Sequence, residues 1–329
     1  MNGFSTTPPP PRKRSFPVVL SFCLLLTVLT PLITAFVPTP ARARTIQVGP
    51  GRVVSSLAQA SRVSEDGDHI LLDPVEHRGC AVWTASRLTI EGVAPGATVT
   101  GPICEDRAFF FFKGNDIMVR NVTFAHARAI GRTGAGILME GANLTVENSR
   151  FLDNENGILA GGPWRSAVRV HDSIFLDNGS CEGPCAHGIY VGQIITRLDV
   201  TNCVFKNTRL GHHIKSKAVM TVVRDSRIED GRTGTASYLI ELPNGGDAEI
   251  TGNILEKGPL SDNRDAAISI GAESQKVRTR ALLIRDNRFT SALAEPVRFV
   301  RNLTRAPAHL KGNVISGNVI TLQGPGVVE

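Results

Sequence analysis

The sequence repeats a short motif seven times between residues 118 and 289. Each copy alternates in polarity, carries Asn, Asp or Gly at its fourth place and ends on a large apolar residue. Alternation with period two is typical of a β-strand, whose successive side chains point to opposite faces. A unit this short cannot bury its own apolar face, so the copies are expected to stack. The closing residues are Phe124, Phe151, Phe175, Phe205, Ile228, Leu255 and Phe289, at steps of 23 to 34 residues.

A second row of apolar residues alternates with the first along the chain, at similar intervals. Its members are Ile137, Ile158, Ile189, Ile214, Ile240 and Ile268. Two rows in step indicate that every unit contributes at least two short strands, each paired with the unit above and below. If the Ile row points inward, the residues immediately before and after each Ile point outward. Positions on successive units then lie about 4.8 Å apart.

Asn or Asp also recurs three residues before six of the seven closing residues, at positions 121, 148, 172, 202, 225 and 286. These residues suit tight turns, because their side chains hydrogen-bond nearby backbone. The stacked rows and the Asn-rich turns resemble the right-handed parallel β-helix family, the pectate-lyase-like superfamily, over about residues 85–320. The resemblance implies an all-β solenoid of roughly ten coils with a short N-terminal capping helix. We predict one domain over residues 44–329, with residues 44–75 as the cap and Ser55 at the helix N-cap.

The first 43 residues are typical of a secretory signal peptide. Arg12, Lys13 and Arg14 precede an uncharged apolar run over residues 16–35, and an Ala-Arg-Ala site ends at Ala43. An uncleaved membrane anchor is the alternative, and would be the only membrane contact we expect. Either reading favours a periplasmic or secreted protein. Beyond residue 43 the chain has 32 basic and 30 acidic residues, so its net charge is +2. This charge argues against nucleic-acid binding.

Five cysteines follow the leader, and an exported chain can oxidise them. Cys181 and Cys185 could close a small loop, and Cys80 could pair with Cys104. The sequence alone does not fix the pairing. No His or Cys spacing typical of a metal site occurs, and no acidic cluster supports calcium, although the resemblance allows it.

Polar residues gather on neighbouring units around the middle of the chain. The residues that follow the Ile row include Tyr190, Lys215 and Glu241, and His213 precedes Ile214. We therefore expect His213 to lie beside Lys215 on an outer face. The same alternation places His187 and His212 on the inward side. The candidate patch consists of Tyr190, His213, Lys215, Lys217, Glu241 and the turn residue Asn244.

This patch suits an acidic polysaccharide. Removing the C5 proton of a uronate requires a cation for its carboxylate, a base near C5 and an acid for the leaving oxygen. We assign catalysis to Lys215 as cation or base, His213 as base and Tyr190 as acid. Glu241, Lys217 and Asn244 are assigned to substrate binding. The resemblance thus favours an exported lyase or C5-epimerase. The alternatives are a non-catalytic glycan-binding or structural module and a glycoside hydrolase. An ordinary cross-strand charge pair explains Lys215 and Glu241 equally well.

Overall fold

A computed structural model describes residues 43–163 and 165–329 of the chain. It contains three long parallel sheets. Each strand pairs with strands one coil earlier and one coil later, so the chain winds as a parallel β-helix. The first sheet has 12 strands: Thr45–Val48, His69–Leu72, Thr89–Gly92, Ile117–Arg120, Leu144–Glu147, Ser166–His171, Ile195–Thr201, Met220–Arg224, Asp247–Thr251, Leu282–Arg285, Ala308–Lys311 and Gly326–Val328. The predicted all-β solenoid is confirmed.

The other two sheets have ten strands each. The second sheet, which carries the candidate site, contains Ala81–Trp83, Ala108–Phe112, Ala135–Met139, Asn156–Ala160, Ile189–Val191, Ile214–Ser216, Ile240–Leu242, Ala266–Ile270, Val297–Asn302 and Val319–Gln323. The third sheet contains Glu76–Arg78, Thr98–Thr100, Thr123–Ala125, Arg150–Leu152, Ile174–Leu176, Val204–Lys206, Arg227–Glu229, Ile254–Lys257, Arg288–Ser291 and Val314–Ser316.

The predicted turn row joins the first sheet to the third. Its six Asn and Asp residues adopt left-handed backbone with φ between 45° and 59°. Asn and Asp tolerate this conformation better than other non-glycine residues, which explains their recurrence. Neighbouring copies also bond along the axis, since Asn148 Nδ2 donates to Asn121 Oδ1 at 2.6 Å and Asn202 Nδ2 donates to Asp172 Oδ1 at 2.5 Å.

The core is a column of stacked side chains inside the coils. The Ile row of the second sheet is fully buried. On the third sheet the closing phenylalanines stack nearly parallel, with ring centroids 4.6 Å apart between Phe151 and Phe175 and 4.4 Å apart between Phe175 and Phe205. Gly157 leaves room for them, because a Cβ there would lie 2.8 Å from Phe175 Cδ1. Stacking identical rows therefore builds one continuous apolar core.

A short helix, Leu57–Val63, lies in the predicted N-terminal cap and buries Leu57 and Ala60. Its N-cap is Ser56, whose side chain accepts a hydrogen bond from Gln59 N at 3.2 Å, so the prediction of Ser55 was wrong by one residue. Ser55 instead donates its backbone N–H to Gln59 Oε1 at 3.0 Å. The two residues together satisfy donors at the helix start.

Two disulfides join Cys80 to Cys104 and Cys181 to Cys185, as the spacing suggested. Cys203 is free and buried, and burial raises the pKa of its thiol to about 12, so it is an inert core residue.

Among the residues that the structure describes, no helix has the length and apolar character needed to span a membrane. The predicted signal peptide lies almost wholly outside the described residues.

Candidate functional site

At the corner where each coil enters the second sheet, two successive side chains point into the core. Leu239 and Ala267, which precede Ile240 and Ile268, are as fully buried as those isoleucines. The backbone explains this departure from alternation. The N–H groups of Gly188 and Ile189 both bond the next coil, at 3.0 and 2.9 Å, whereas successive N–H groups of a regular strand point opposite ways.

The prediction that His213 lies on the outer face beside Lys215 is therefore wrong. Its side chain has no exposed surface. His213 Nδ1 lies 2.7 Å from Thr208 Oγ1, and His213 Nε2 lies 2.9 Å from Asp230 Oδ1, which is equally buried. The imidazole is thus part of the interior and cannot reach a polysaccharide.

The same corner shifts His187 and His212 to the outer side, so their predicted inward placement was also wrong. They belong to a row with Asn156 and Tyr238, two residues before the Ile row. His187 Nδ1 accepts a hydrogen bond from His212 N at 3.0 Å, and His212 Nδ1 accepts one from Tyr238 N at 3.2 Å. The spacing of 25 and 26 residues between these aromatic residues was the signal in the sequence.

Five side chains meet on the outer face of the second sheet, and we call them the lysine cluster: Tyr190, Lys215, Lys217, Glu241 and Glu273. Tyr190, Lys215 and Glu241 pair on successive coils, as predicted. The Lys215 and Lys217 ammonium groups lie 5.9 and 5.8 Å from the centre of the Tyr190 ring. Such distances are typical of cation–π contact.

The lysines bind carboxylates on both sides. Lys215 Nζ lies 3.2 Å from Glu241 Oε2 and donates to Glu273 Oε1 at 2.6 Å. Lys217 Nζ donates to Glu273 Oε2 at 2.7 Å, so Glu273 bridges the two ammonium groups. Glu241 Oε2 also lies 2.9 Å from His212 Nε2, but neither this contact nor the one to Lys215 has hydrogen-bond geometry, so the ammonium charge of Lys215 is what compensates this buried oxygen.

These contacts fix the charges of the cluster. Burial opposes the charged form of Lys215, but Glu241 and Glu273 outweigh it, so the pKa of Lys215 lies above its ordinary value. Burial likewise opposes charge on Lys217, yet Glu273 and Tyr190 raise its pKa. Burial disfavours both carboxylates, but His212 and Lys215 keep the pKa of Glu241 below its ordinary range, and Lys215 and Lys217 do the same for the pKa of Glu273. All four groups are therefore ionised at neutral pH, and Lys215 is a cation and not a base.

His187 has the opposite balance. Burial, followed by the neighbouring His212, Lys215 and Lys217, lowers its pKa well below the ordinary value. It is neutral at pH 7, and because its Nδ1 accepts a backbone hydrogen bond, its proton is on Nε2.

Asn244 is a buried anchor for the segment 271–281, which carries Glu273. Its Oδ1 accepts a hydrogen bond from Ser274 Oγ at 3.1 Å, and its backbone oxygen accepts one from Val277 N at 3.1 Å. Its predicted role in substrate binding stays a prediction, and the contacts that the structure shows are those with the segment 271–281. The same segment lines a neighbouring cleft of about 340 Å³ with Lys276, Arg278 and Arg280.

Within residues 43–163 and 165–329, no group of three His, Cys, Asp or Glu side chains is placed to hold a metal ion.

Comparison with known proteins supports the fold. Residues 75–209 match the family model described as a right handed beta helix region. Pectate lyase Pel9A superposes with a TM-score of 0.54 at 14% identity, covering 84% of this chain and 78% of that one. A mutant tailspike protein of E. coli bacteriophage HK620 gives 0.49 at 13%, covering 83% and 60%. An alginate lyase from Paenibacillus sp. gives 0.41 at 17%, covering 86% and 99%.

The sequence has no significant match among curated proteins. Structural likeness at such low identity shows the fold and not the activity. The match over residues 75–209 and the three parallel sheets together show that this chain folds as a right-handed parallel β-helix, the fold it shares with pectate lyase Pel9A.

Proposed function

We propose that the protein acts on an acidic polysaccharide at the lysine cluster, by β-elimination or C5-epimerisation. One observation carries the proposal: two ammonium groups on the outer face already converge on a single carboxylate, that of Glu273. A uronate presents the same group, and its neutralisation is what the removal of the C5 proton requires. Pectate lyase Pel9A, whose fold this chain shares at a TM-score of 0.54, acts by its name on such a polymer, which supports the proposal.

Each side chain then takes a defined part. Lys215 and Lys217 neutralise the substrate carboxylate, and Glu241 holds Lys215 in place. Tyr190 transfers the proton, since its ring lies beside both ammonium groups and thus beside the substrate carboxylate that they would bind. Its oxygen takes the C5 proton and gives up its own hydroxyl proton. In β-elimination the electron pair left at C5 forms the C4–C5 double bond and expels the O4 oxygen, which receives the Tyr190 hydroxyl proton. His213 has no part, since it is buried.

A non-catalytic glycan-binding module is the second candidate. The observation in its favour is that both lysines are already paired, which an exposed structural charge network would also show. A glycoside hydrolase is less suitable. It needs one protonated carboxyl group as the acid, whereas the pKa values of Glu241 and Glu273 both lie below their ordinary range.

Export is part of the proposal and rests on the leader sequence alone. We accordingly propose a periplasmic or secreted protein. A role for calcium is not part of the proposal.

Replacing Lys215 by alanine tests the function. We expect unsaturated product, followed by its near-ultraviolet absorbance on a panel of uronate polymers, to form about 100-fold more slowly, because a preorganised cation has been lost. The matched control is Lys206→Ala, an exposed lysine on the third sheet. Equal loss in both variants, or full activity in Lys215→Ala, contradicts the assignment. Polymer binding without any product from the wild type favours the binding module, and new reducing ends without unsaturation favour hydrolysis.

A further inference from the structure

The carboxylate of Glu273 lies between the ammonium groups of Lys215 and Lys217. We call this position the anion seat. Lys215 and Lys217 extend from the second sheet, and only 14% and 19% of their side-chain surface is exposed. Glu273 comes from the segment 271–281, more than 50 residues later in the chain, and 41% of its side chain is exposed. The seat is therefore built into the solenoid, whereas its occupant reaches it from the solvent side.

The backbone that carries Glu273 is anchored at this residue and again further along the segment. The N–H groups of Glu273 and Ser274 both donate to Pro243 O at 2.9 Å. Further along, Asp247 Oδ1 accepts from the N–H groups of Arg280 and Ala281 at 2.7 and 3.1 Å. Rotation of the Glu273 side chain is thus enough to vacate the seat, and the segment need not unfold.

Charge makes this occupant a competitor for any external anion. With Glu273 in place, the two lysines are balanced by Glu241 and Glu273, so these four groups have no net charge. Without Glu273, the remaining three carry a net charge of +1. An intramolecular carboxylate also acts at a high effective concentration, at least in the millimolar range.

We propose that Glu273 is a built-in stand-in for the substrate carboxylate, which a uronate must displace in order to bind between Lys215 and Lys217. This inference rests on the proposed function for the identity of the ligand. Glu273 then sets the affinity for the substrate. It favours polymers over single sugars, because the many contacts of a polymer can offset the free energy needed to displace Glu273. Glu273 is not assigned a part in proton transfer.

The test is the affinity of Glu273→Gln for sodium D-glucuronate, followed by NMR titration of the Lys215 amide. We expect binding about tenfold tighter than that of the wild type, because the glutamine is neutral and competes poorly. Glu140→Gln is the matched control, since Glu140 is an exposed glutamate that pairs with Arg107 at 3.4 Å, away from the lysine cluster. We expect no change in this control. The gain should also disappear when Lys217→Gln is added.

Unchanged or weaker binding in Glu273→Gln, or a gain that survives Lys217→Gln, overturns the inference. The two proposals fail separately. Tighter glucuronate binding in a protein that neither binds nor cleaves any uronate polymer supports the anion seat and refutes the proposed function. Polymer cleavage that depends on Lys215, with no gain in Glu273→Gln, does the reverse.

Discussion

Replacing Asp230 by asparagine is expected to lower the free energy of unfolding by about 3–5 kcal/mol, the cost of removing one partner from a buried charged network. Asp230 is fully buried and lies 2.9 Å from His213 Nε2. Its Oδ2 accepts hydrogen bonds from Gly258 N at 3.2 Å and from Ser261 Oγ. Burial alone would raise its pKa, but His213 and Lys257 outweigh burial and keep the carboxyl ionised. An amide at this position would be neutral, and its NH2 group would face a group that now donates a hydrogen bond to Asp230.

Lys257 adds to the expected cost. It is fully buried, and desolvation lowers its pKa to about 8 even though Asp230 favours the charged form. Removing the charge of Asp230 takes away part of that support. The measurement is urea unfolding of Asp230→Asn against Asp177→Asn, a change of the same chemistry at an exposed left-handed turn that asparagine tolerates. A shift of less than about 1 kcal/mol in Asp230→Asn would contradict the account of this network.

Replacing Phe175 by alanine is the second large effect that we expect, also about 3–5 kcal/mol. Its ring is 1% exposed and lies between two others in near-parallel stacks. Truncation leaves a cavity in the middle of the phenylalanine column, and the neighbours are fixed by the coils above and below. Collapse around the cavity is therefore restricted, which places the cost toward the upper part of the range for such changes.

Ile174→Ala is the matched control, because Ile174 lies on the same strand but faces outward. We expect it to cost about 1 kcal/mol or less. Thermal and urea unfolding of both variants give the comparison. Equal losses in the two variants would show that the strand as a whole, and not the inward column, determines the stability.

The fold was predictable because its physical cause is repeated. From residue 118 to residue 289, successive coils place an apolar residue at the same two inward positions, and Asn, Asp or Gly at the same left-handed turn, so the rows in the sequence are the rows in the structure. The register of Tyr190, Lys215 and Glu241 followed from the Ile row for the same reason.

The error at His213 arose where that regularity ends. Strict alternation holds within a strand, but at the corner before the second sheet two successive residues point inward, so every parity argument applied across the corner fails. The row of glycines before Ile137, Ile158 and Ile189 was the available signal. Glycine at an outward position needs no explanation, whereas glycine beside a stacked phenylalanine makes room for it.

Glu273 could not be found from the repeat. It lies on a segment that departs from the coil pattern, and its partners are 56 and 58 residues earlier in the chain. Hydrogen bonds fold the segment back onto residues 243–247 and bring it to the lysines. Contacts of this kind depend on one tertiary arrangement and produce no periodic pattern in the sequence.

The central claim is that the lysine pair on the outer face of the second sheet receives the carboxylate of an acidic sugar. A crystal structure of the protein with a bound uronate oligosaccharide tests it most directly. We expect a sugar carboxylate within hydrogen-bond distance of both Lys215 Nζ and Lys217 Nζ, with the Glu273 side chain turned away and the Tyr190 hydroxyl facing the sugar ring. An oligosaccharide seated on another sheet, with Glu273 still bridging the two lysines, would contradict the account.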